Sequence, residues 1–221
     1  MERTQLGREF YELGLRLGAL GTVAIGSGGG SLARALARAA GCGAALAGGE
    51  VKFHDGTCAA CGAWLAQYYG FHAALFVRQE GGRVELFLTD GQGRRFTPAG
   101  AGGAGPASTG EWDLLAGADC AWAARRAGGY RGGLGTACAS GPAALTLALE
   151  RLGYEVSDRP VPGVALFEAD REGFSLQVRE GGGVFHPGGA DALDALADYA
   201  ARPRAVPAFR PAPPAGPEAP L

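Results

Sequence analysis

The chain has 221 residues, 47% of them hydrophobic, and a formal net charge of −2. This length suits one large or two small domains, and the weak charge without a basic run excludes the electrostatic footprint of a nucleic-acid-binding protein. No apolar stretch is long enough to cross a bilayer, so we expect no membrane partner. The first ten residues lack the order of a secretory signal, so we expect a cytoplasmic protein whose five cysteines are reduced.

The first hundred residues alternate helical and extended patterns. Residues 5–20 carry apolar side chains three and four positions apart, which predicts an amphipathic helix. The patterns that follow predict, in order, a strand over 23–25, a helix that ends at 41, a strand over 50–53, a helix over 58–69, and strands over 73–78 and 84–88. We expect the turn at 55–57 to cap the second of these helices and the turn at 90–93 to form a hairpin. This order predicts a mainly parallel sheet with an antiparallel edge.

A glycine-rich stretch joins the first strand to the helix after it. Its residues are our candidate ligand contacts: Gly26, Ser27, Gly28, Gly29, Gly30 and Ser31. Glycines let the backbone approach a ligand closely, Ser31 is a candidate N-cap, and free N–H groups at a helix start attract anions such as phosphate. The stretch contains no lysine or arginine, and the chain has 40 glycines, so a tight turn without a ligand remains the alternative.

The second half of the chain follows a stretch without periodicity. Residues 97–110 are rich in glycine, alanine and proline and predict a linker between a first unit at 1–96 and a second at 111–201. Within the second unit the patterns predict helices over 111–127, 141–152 and 190–200, and strands over 132–138, 163–167 and 174–179. The proline-rich end, 202–221, predicts a disordered tail.

Two polar clusters are candidates for chemistry. Cys58 and Cys61 form a CxxC pair at a predicted helix start, where the helix dipole could lower a thiol pKa, and His54 and Cys42 could complete a zinc site. The alternative is two small residues packed in a helix. After a buried strand, the acidic run over 168–172 indicates either a cation or sugar-phosphate loop or a solvated turn.

Taken in this order, the chain resembles the α-D-phosphohexomutases, which include phosphoglucomutase and phosphomannomutase. The resemblance rests on four stretches, VAIGSGGGSLARALARAAGCGAALAGGEV, GTCAACGAWLAQYYGFHAALFV, VELFLTDGQGRRF and PGVALFEADREGFSLQVREGGGVF. They are similar to the family's first crossover, the helix and strand before its catalytic serine, the hairpin after it, and the metal loop. The resemblance implies an α/β fold of two small domains with mixed, mainly parallel sheets. Residues 1–96 would form a unit like the family's first domain, and 111–201 a unit like parts of its middle domains.

The chain departs from the family pattern at the positions that carry catalysis. Where the family places a phosphoserine loop, this chain has 78–82, RQEGG, with Gln79 near the serine position and no hydroxyl nucleophile. The three metal-binding aspartates fall on Leu166, Glu168 and Asp170, while Arg171 matches the family arginine. Two carboxylates would hold Mg²⁺ weakly without a substrate phosphate. No RxSGTEP segment follows, so the C-terminal phosphate-binding domain is missing from this sequence.

These departures predict a pseudoenzyme of carbohydrate metabolism that binds a phosphosugar or a protein partner and has no catalytic residue. Arg171 would join the glycine-rich stretch as a ligand contact, and Glu168 and Asp170 would be a vestigial metal pair. Two alternatives stay open. The chain could be an active phosphosugar mutase, an intramolecular phosphotransferase, completed by another chain; a homo-oligomer is a separate candidate for the protein partner. It could also be a thiol or zinc module built on CxxC.

Overall fold

The computed structural model describes residues 3–98, 112–129, 131 and 134–202. The helices in these ranges are α1 (Arg3–Gly18), α2 (Ser31–Leu46), α3 (Ala59–Tyr69), α4 (Ala118–Arg126), α5 (Ala143–Leu152) and α6 (Ala192–Ala201). The strands are β1 (Val23–Gly28), β2 (Val51–His54), β3 (Ala73–Glu80), β4 (Arg83–Asp90), β5 (Trp112–Leu115), β6 (Gly135–Ser140), β7 (Tyr154–Ser157), β8 (Ala165–Ala169), β9 (Leu176–Glu180) and β10 (Gly183–Phe185). Apart from residues 97, 98 and 202, the predicted linker and tail lie outside the described residues.

The first sheet has the strand order β4-β3-β1-β2-β5. β1 pairs parallel with β2 and β3, β2 pairs parallel with β5, and β3 pairs antiparallel with β4. The predicted mainly parallel sheet with an antiparallel edge is confirmed. The hairpin turn lies at Gly81 and Gly82, which both adopt positive φ, whereas the predicted turn at 90–93 leads only to a single bridge between Thr89 and Arg95.

The second sheet repeats the strand order of the first in four of its five strands. Its order is β10-β9-β8-β6-β7, with β6 parallel to β7 and β8, and β9 antiparallel to β8 and β10. One face carries the apolar core under α4, α5 and α6, and includes Phe167 and Val178. Two mixed sheets with helices on their faces confirm the α/β fold class. Strand β7, which follows α5 directly, was missing from the sequence prediction.

The predicted helix over 111–127 is wrong in its first part. Residues 112–115 form β5 and complete the first sheet, and the helix α4 begins only at Ala118. Gly117 separates the two with a left-handed φ of 71°, a conformation that interrupts regular structure and favours glycine. The boundaries of the two units, drawn at 96 and 111, stay a prediction.

Helices α1 and α2 pack with their backbones in contact. A Cβ added at Gly14 would collide with the carbonyl oxygen of Ala40, and one added at Gly18 would collide with that of Ala44. Leu17, between these two glycines, is completely buried in the core of the first sheet. The small residues therefore let α1 lie close against α2.

Helix α3 contributes to both halves of the molecule. Ala66 packs against Ala24 and Ala74 of the first sheet, whereas Trp64 and Leu65 join the core that holds α4, α5 and α6. A helix that is apolar on all sides is expected where it is buried between two layers. The two sheets are thus joined by a common apolar layer. In the described part of the chain, no helix combines the length and the apolar character needed to cross a bilayer.

Candidate functional site

A cleft of about 480 Å³ lies where the two sheets meet. The first unit lines it with Thr57, before α3, and with the end of β3 at 78–80. The second unit lines it with the segment over 140–143, between β6 and α5, and with Ala169 and Arg171 after β8. In α/β sheets ligands bind at the carboxyl ends of parallel strands, and β3, β6 and β8 all present those ends here.

Two reciprocal carboxylate contacts hold the loops near this cleft. Asp55 accepts hydrogen bonds from the backbone N–H groups of Gly117 and Ala118, both at 2.8 Å, and so caps the start of α4. Asp119 accepts from the backbone N–H of Thr57 at 3.2 Å. The predicted role of the 55–57 turn as the cap of α3 is wrong, because the N-cap residue of α3 makes no side-chain cap bond and Asp55 serves α4 instead.

Arg78 is the centre of an ion-pair network beside the cleft. Its guanidinium contacts Glu85 at 2.7 Å on the neighbouring strand and pairs with Glu172 of the second unit. Burial opposes its charge, but the hydrogen bond to Glu85 and the charges of Glu172 and Glu80 outweigh burial and raise the pKa of Arg78. Burial also raises the pKa of the Glu172 carboxyl, which the Arg78 charge offsets only in part.

A second ion pair crosses the cleft between Arg171 and Glu80. Arg171 is the position that matches the family arginine, and the structure brings it to the same cleft as Gln79. The positive charge of Arg171 is therefore paired with the Glu80 carboxylate of the opposite unit. With Arg78 also compensated, neither guanidinium of the cleft is left without a carboxylate partner.

The two residues of the predicted metal pair have protein partners and do not fit a Mg²⁺ site. The Glu168 carboxylate oxygen Oε2 lies 3.0 Å from the guanidinium nitrogen Nη2 of Arg179 on the neighbouring strand. Asp170 accepts hydrogen bonds from the backbone N–H groups of Glu172 and Phe174 and from the Ser175 hydroxyl. Within the described ranges, no group of three histidine, cysteine, aspartate or glutamate side chains is placed to hold a metal ion.

The glycine-rich stretch is divided between two environments. Gly26 and Ser27 belong to β1 and line a separate cavity beside α2. Gly29, with a φ of 90°, and Gly30 pack closely against Gln79, while Gly28 faces Phe76. Close packing against Gln79 thus accounts for the two glycines before α2.

Ser31 is not the N-cap of α2. It is the first residue of the helix, and Gly30 takes the cap position without a side-chain hydrogen bond. The reason is that β1 continues to Gly28, so that the single left-handed residue Gly29 completes the turn. The roles of the stretch and of Arg171 in binding a ligand stay predictions.

The geometry can be compared with known proteins. No family model matches the sequence, and no curated protein matches it. Among solved structures, a phosphoglucomutase/phosphomannomutase family protein from Burkholderia thailandensis matches 80% of this chain with a TM-score of 0.55 and 15% identity. A protein assigned as a phosphomannomutase from Thermus thermophilus matches 80% of it with a TM-score of 0.56 and 17% identity. The chain has a phosphohexomutase-type fold.

The chain spans about half the length of the two solved structures, covering 51% and 53% of them. At 15% and 17% identity the likeness concerns the fold.

Two hydroxyl side chains line the cleft beside the carboxamide of Gln79. They belong to Thr57 and Ser140, and neither was a candidate from the sequence. Among the described residues, neither hydroxyl is hydrogen-bonded to a side chain that could act as a base.

The two thiols of the CxxC pair are buried, and burial disfavours their reactive thiolate form. Cys58 is 1% exposed and Cys61 is completely buried. Burial raises the pKa of the Cys58 thiol to about 12 and also raises that of Cys61, opposite to the lowering that we expected from the helix dipole. Cys42 is exposed on α2, and His54 packs against Gly26 and Gly62. These positions favour packing over redox or zinc chemistry.

Thiol labelling of the native protein should separate the cysteines by burial. We expect the exposed Cys42 and Cys120 to react first with a disulfide reagent, since the thiolate is the reactive form and needs access. Cys58 and Cys61 should react only after the chain unfolds. Mass mapping of partly labelled protein is the measurement. Early labelling of either CxxC thiol at neutral pH would contradict this placement.

Proposed function

We propose that this chain is a cytoplasmic, non-catalytic protein of the phosphohexomutase fold that binds a phosphorylated sugar. The observation that carries the proposal is the placement of Gln79. It lies in the cleft between the units, on the strand end that resembles the serine loop of the family, and its side chain packs on Gly30. A carboxamide cannot carry a phosphoryl group from one substrate oxygen to another as a serine hydroxyl can.

The charges of the cleft support the same conclusion. Arg78 and Arg171 face the carboxylates Glu80, Glu85 and Glu172. A phosphate dianion in the cleft would have to displace at least one of these carboxylates, because like charges at close range repel. The arginines therefore hold the two units together instead of stabilising a transferring phosphoryl group.

A coupled assay for mutase activity tests the proposal. We expect the pure protein to show no turnover of glucose 1-phosphate or mannose 1-phosphate in the presence of Mg²⁺ and a hexose bisphosphate activator. An active mutase in the same reaction mixture is the positive control. Clear turnover by the pure protein would overturn the non-catalytic assignment and favour the enzyme alternative.

Thermal denaturation with hexose phosphates tests binding separately. Ligand that binds only the folded chain raises the midpoint temperature. We expect an increase with hexose phosphates and none with the unphosphorylated sugars. No increase at millimolar concentrations would favour a role in which the chain binds only a protein partner or a second copy of itself.

A further inference from the structure

A cavity of about 780 Å³ lies beside α2, at the carboxyl ends of β1 and β2. It shares no lining residue with the cleft between the units. Its apolar wall contains Ile25, Phe53 and Leu114, and Leu114 is 66% exposed on the edge strand β5. Ser27 lies on the same face as Ile25, because side chains alternate along a strand. This volume and this mixture of apolar walls with a few polar groups are typical of small-molecule sites.

Two arginines of α2 reach the cavity. Arg34 and Arg38 both line it, and their spacing of four places them one above the other on the same face of the helix. In the described part of the chain, neither side chain takes part in a hydrogen bond or an ion pair. These guanidinium groups differ in this respect from those of Arg78 and Arg171 in the cleft.

The two acidic residues that line the same cavity, Asp55 and Asp113, already have hydrogen-bond or ion-pair partners. Asp55 accepts from the backbone N–H groups at the start of α4. Asp113 lies 3.4 Å from the Lys52 ammonium and accepts a backbone hydrogen bond at 2.9 Å. Hydrogen bonds leave both carboxylates charged, so the lining carries two positive and two negative groups. Among the described residues that line the cavity, Arg34 and Arg38 are the charged side chains without an ion pair or a hydrogen bond.

We propose that this cavity, and not the cleft between the units, binds the phosphate group of the sugar phosphate. Arg34 and Arg38 donate to the phosphate oxygens, for which the planar guanidinium is well shaped. The Ser27 hydroxyl supplies a further donor, and the wall formed by Phe53 and Leu114 covers the sugar ring. The inference rests on the proposed function for the identity of the ligand, but the phosphate site itself can be tested without a sugar.

Titration calorimetry with inorganic phosphate and with glucose 6-phosphate is the test. We expect the double variant Arg34→Gln/Arg38→Gln to bind both at least about tenfold more weakly than the natural sequence, a loss of about 1.4 kcal/mol. Arg83→Gln/Arg151→Gln, which removes two exposed arginines that do not line the cavity, is the matched charge control and should bind as the natural sequence does. Circular dichroism checks that each variant is folded.

The outcomes separate the two proposals. Unchanged phosphate affinity in the double variant, or loss of binding in Arg171→Gln instead, would overturn the cavity site and leave a sugar-phosphate-binding protein. Absence of phosphate and glucose 6-phosphate binding by the natural sequence would also overturn the cavity site. Phosphate binding that depends on Arg34 and Arg38 would support the cavity site. If the protein also showed mutase turnover, or bound no hexose phosphate, the proposed function would be overturned while the site would stand.

Discussion

Replacing Gly14 by alanine should destabilise the protein by about 3 kcal/mol. The new Cβ would overlap the carbonyl oxygen of Ala40, which is part of the α2 backbone and cannot rotate away as a side chain would. The helices would have to separate, and the packing of the buried Leu17 and Phe10 against α2 would be weakened. The higher helix propensity of alanine, about 1 kcal/mol, offsets only part of this cost.

The matched control is Gly7→Ala on the same helix. A Cβ at Gly7 meets nothing within 4 Å, so this variant should be more stable by about 0.5–1 kcal/mol. Urea denaturation followed by circular dichroism gives both changes in the free energy of unfolding. Equal stabilisation by the two substitutions would show that α1 does not lie this close to α2.

Acidification from pH 7 to pH 4 should cost about 3 kcal/mol of stability through His54 alone. The imidazole is 6% exposed, and both ring nitrogens lack a hydrogen-bond partner among the described residues. Burial lowers its pKa from 6.5 to about 4, and the nearby Asp55 charge opposes this only in part. Between these two pKa values the unfolded chain binds the extra proton, so stability falls as the pH falls.

The variant His54→Leu isolates this contribution from the carboxylates that titrate in the same range. Its free energy of unfolding should decrease less between pH 7 and pH 4 than that of the natural sequence, by about 3 kcal/mol. His186→Asn, at an exposed position, is the control and should follow the natural sequence. Parallel curves for the natural sequence and His54→Leu would show that the buried histidine does not titrate differently in the two states.

The order of the elements could be predicted because local patterns determined it. The β-branched run Val23–Ile25 predicts a strand and lies in β1. The apolar stripe that includes Leu17 has a helical period and lies in α1. β5 could not be predicted in the same way, because Trp112–Leu115 is only four residues long, contains Asp113, and suits a helix start as well as a strand. Its pairing with β2 depends on the folded sheet.

The sequence indicates two of the loops that line the cleft but not the chemistry of the cleft, and the predicted ligand contacts stay a prediction. The family resemblance placed Gln79 and Arg171 at corresponding loops, and both line the cleft. The partners of the arginines were not predictable, because Arg171 pairs with Glu80, 91 residues earlier in the sequence. Arg34 and Arg38 were missed for another reason. A sequence shows two arginines on one helix face, but only the fold shows that no side chain of the described ranges pairs with them.

Strand β5 also bears on how the chain can fold during synthesis. Four strands of the first sheet are complete by residue 90, but the edge of β2 is covered only by residues 112–115. Until the ribosome has released that segment, β2 presents unpaired N–H and C=O groups, which can pair with the strand edge of another nascent chain. Before β5 emerges, this open edge of β2 is therefore a point at which the nascent chain can associate with another copy of itself.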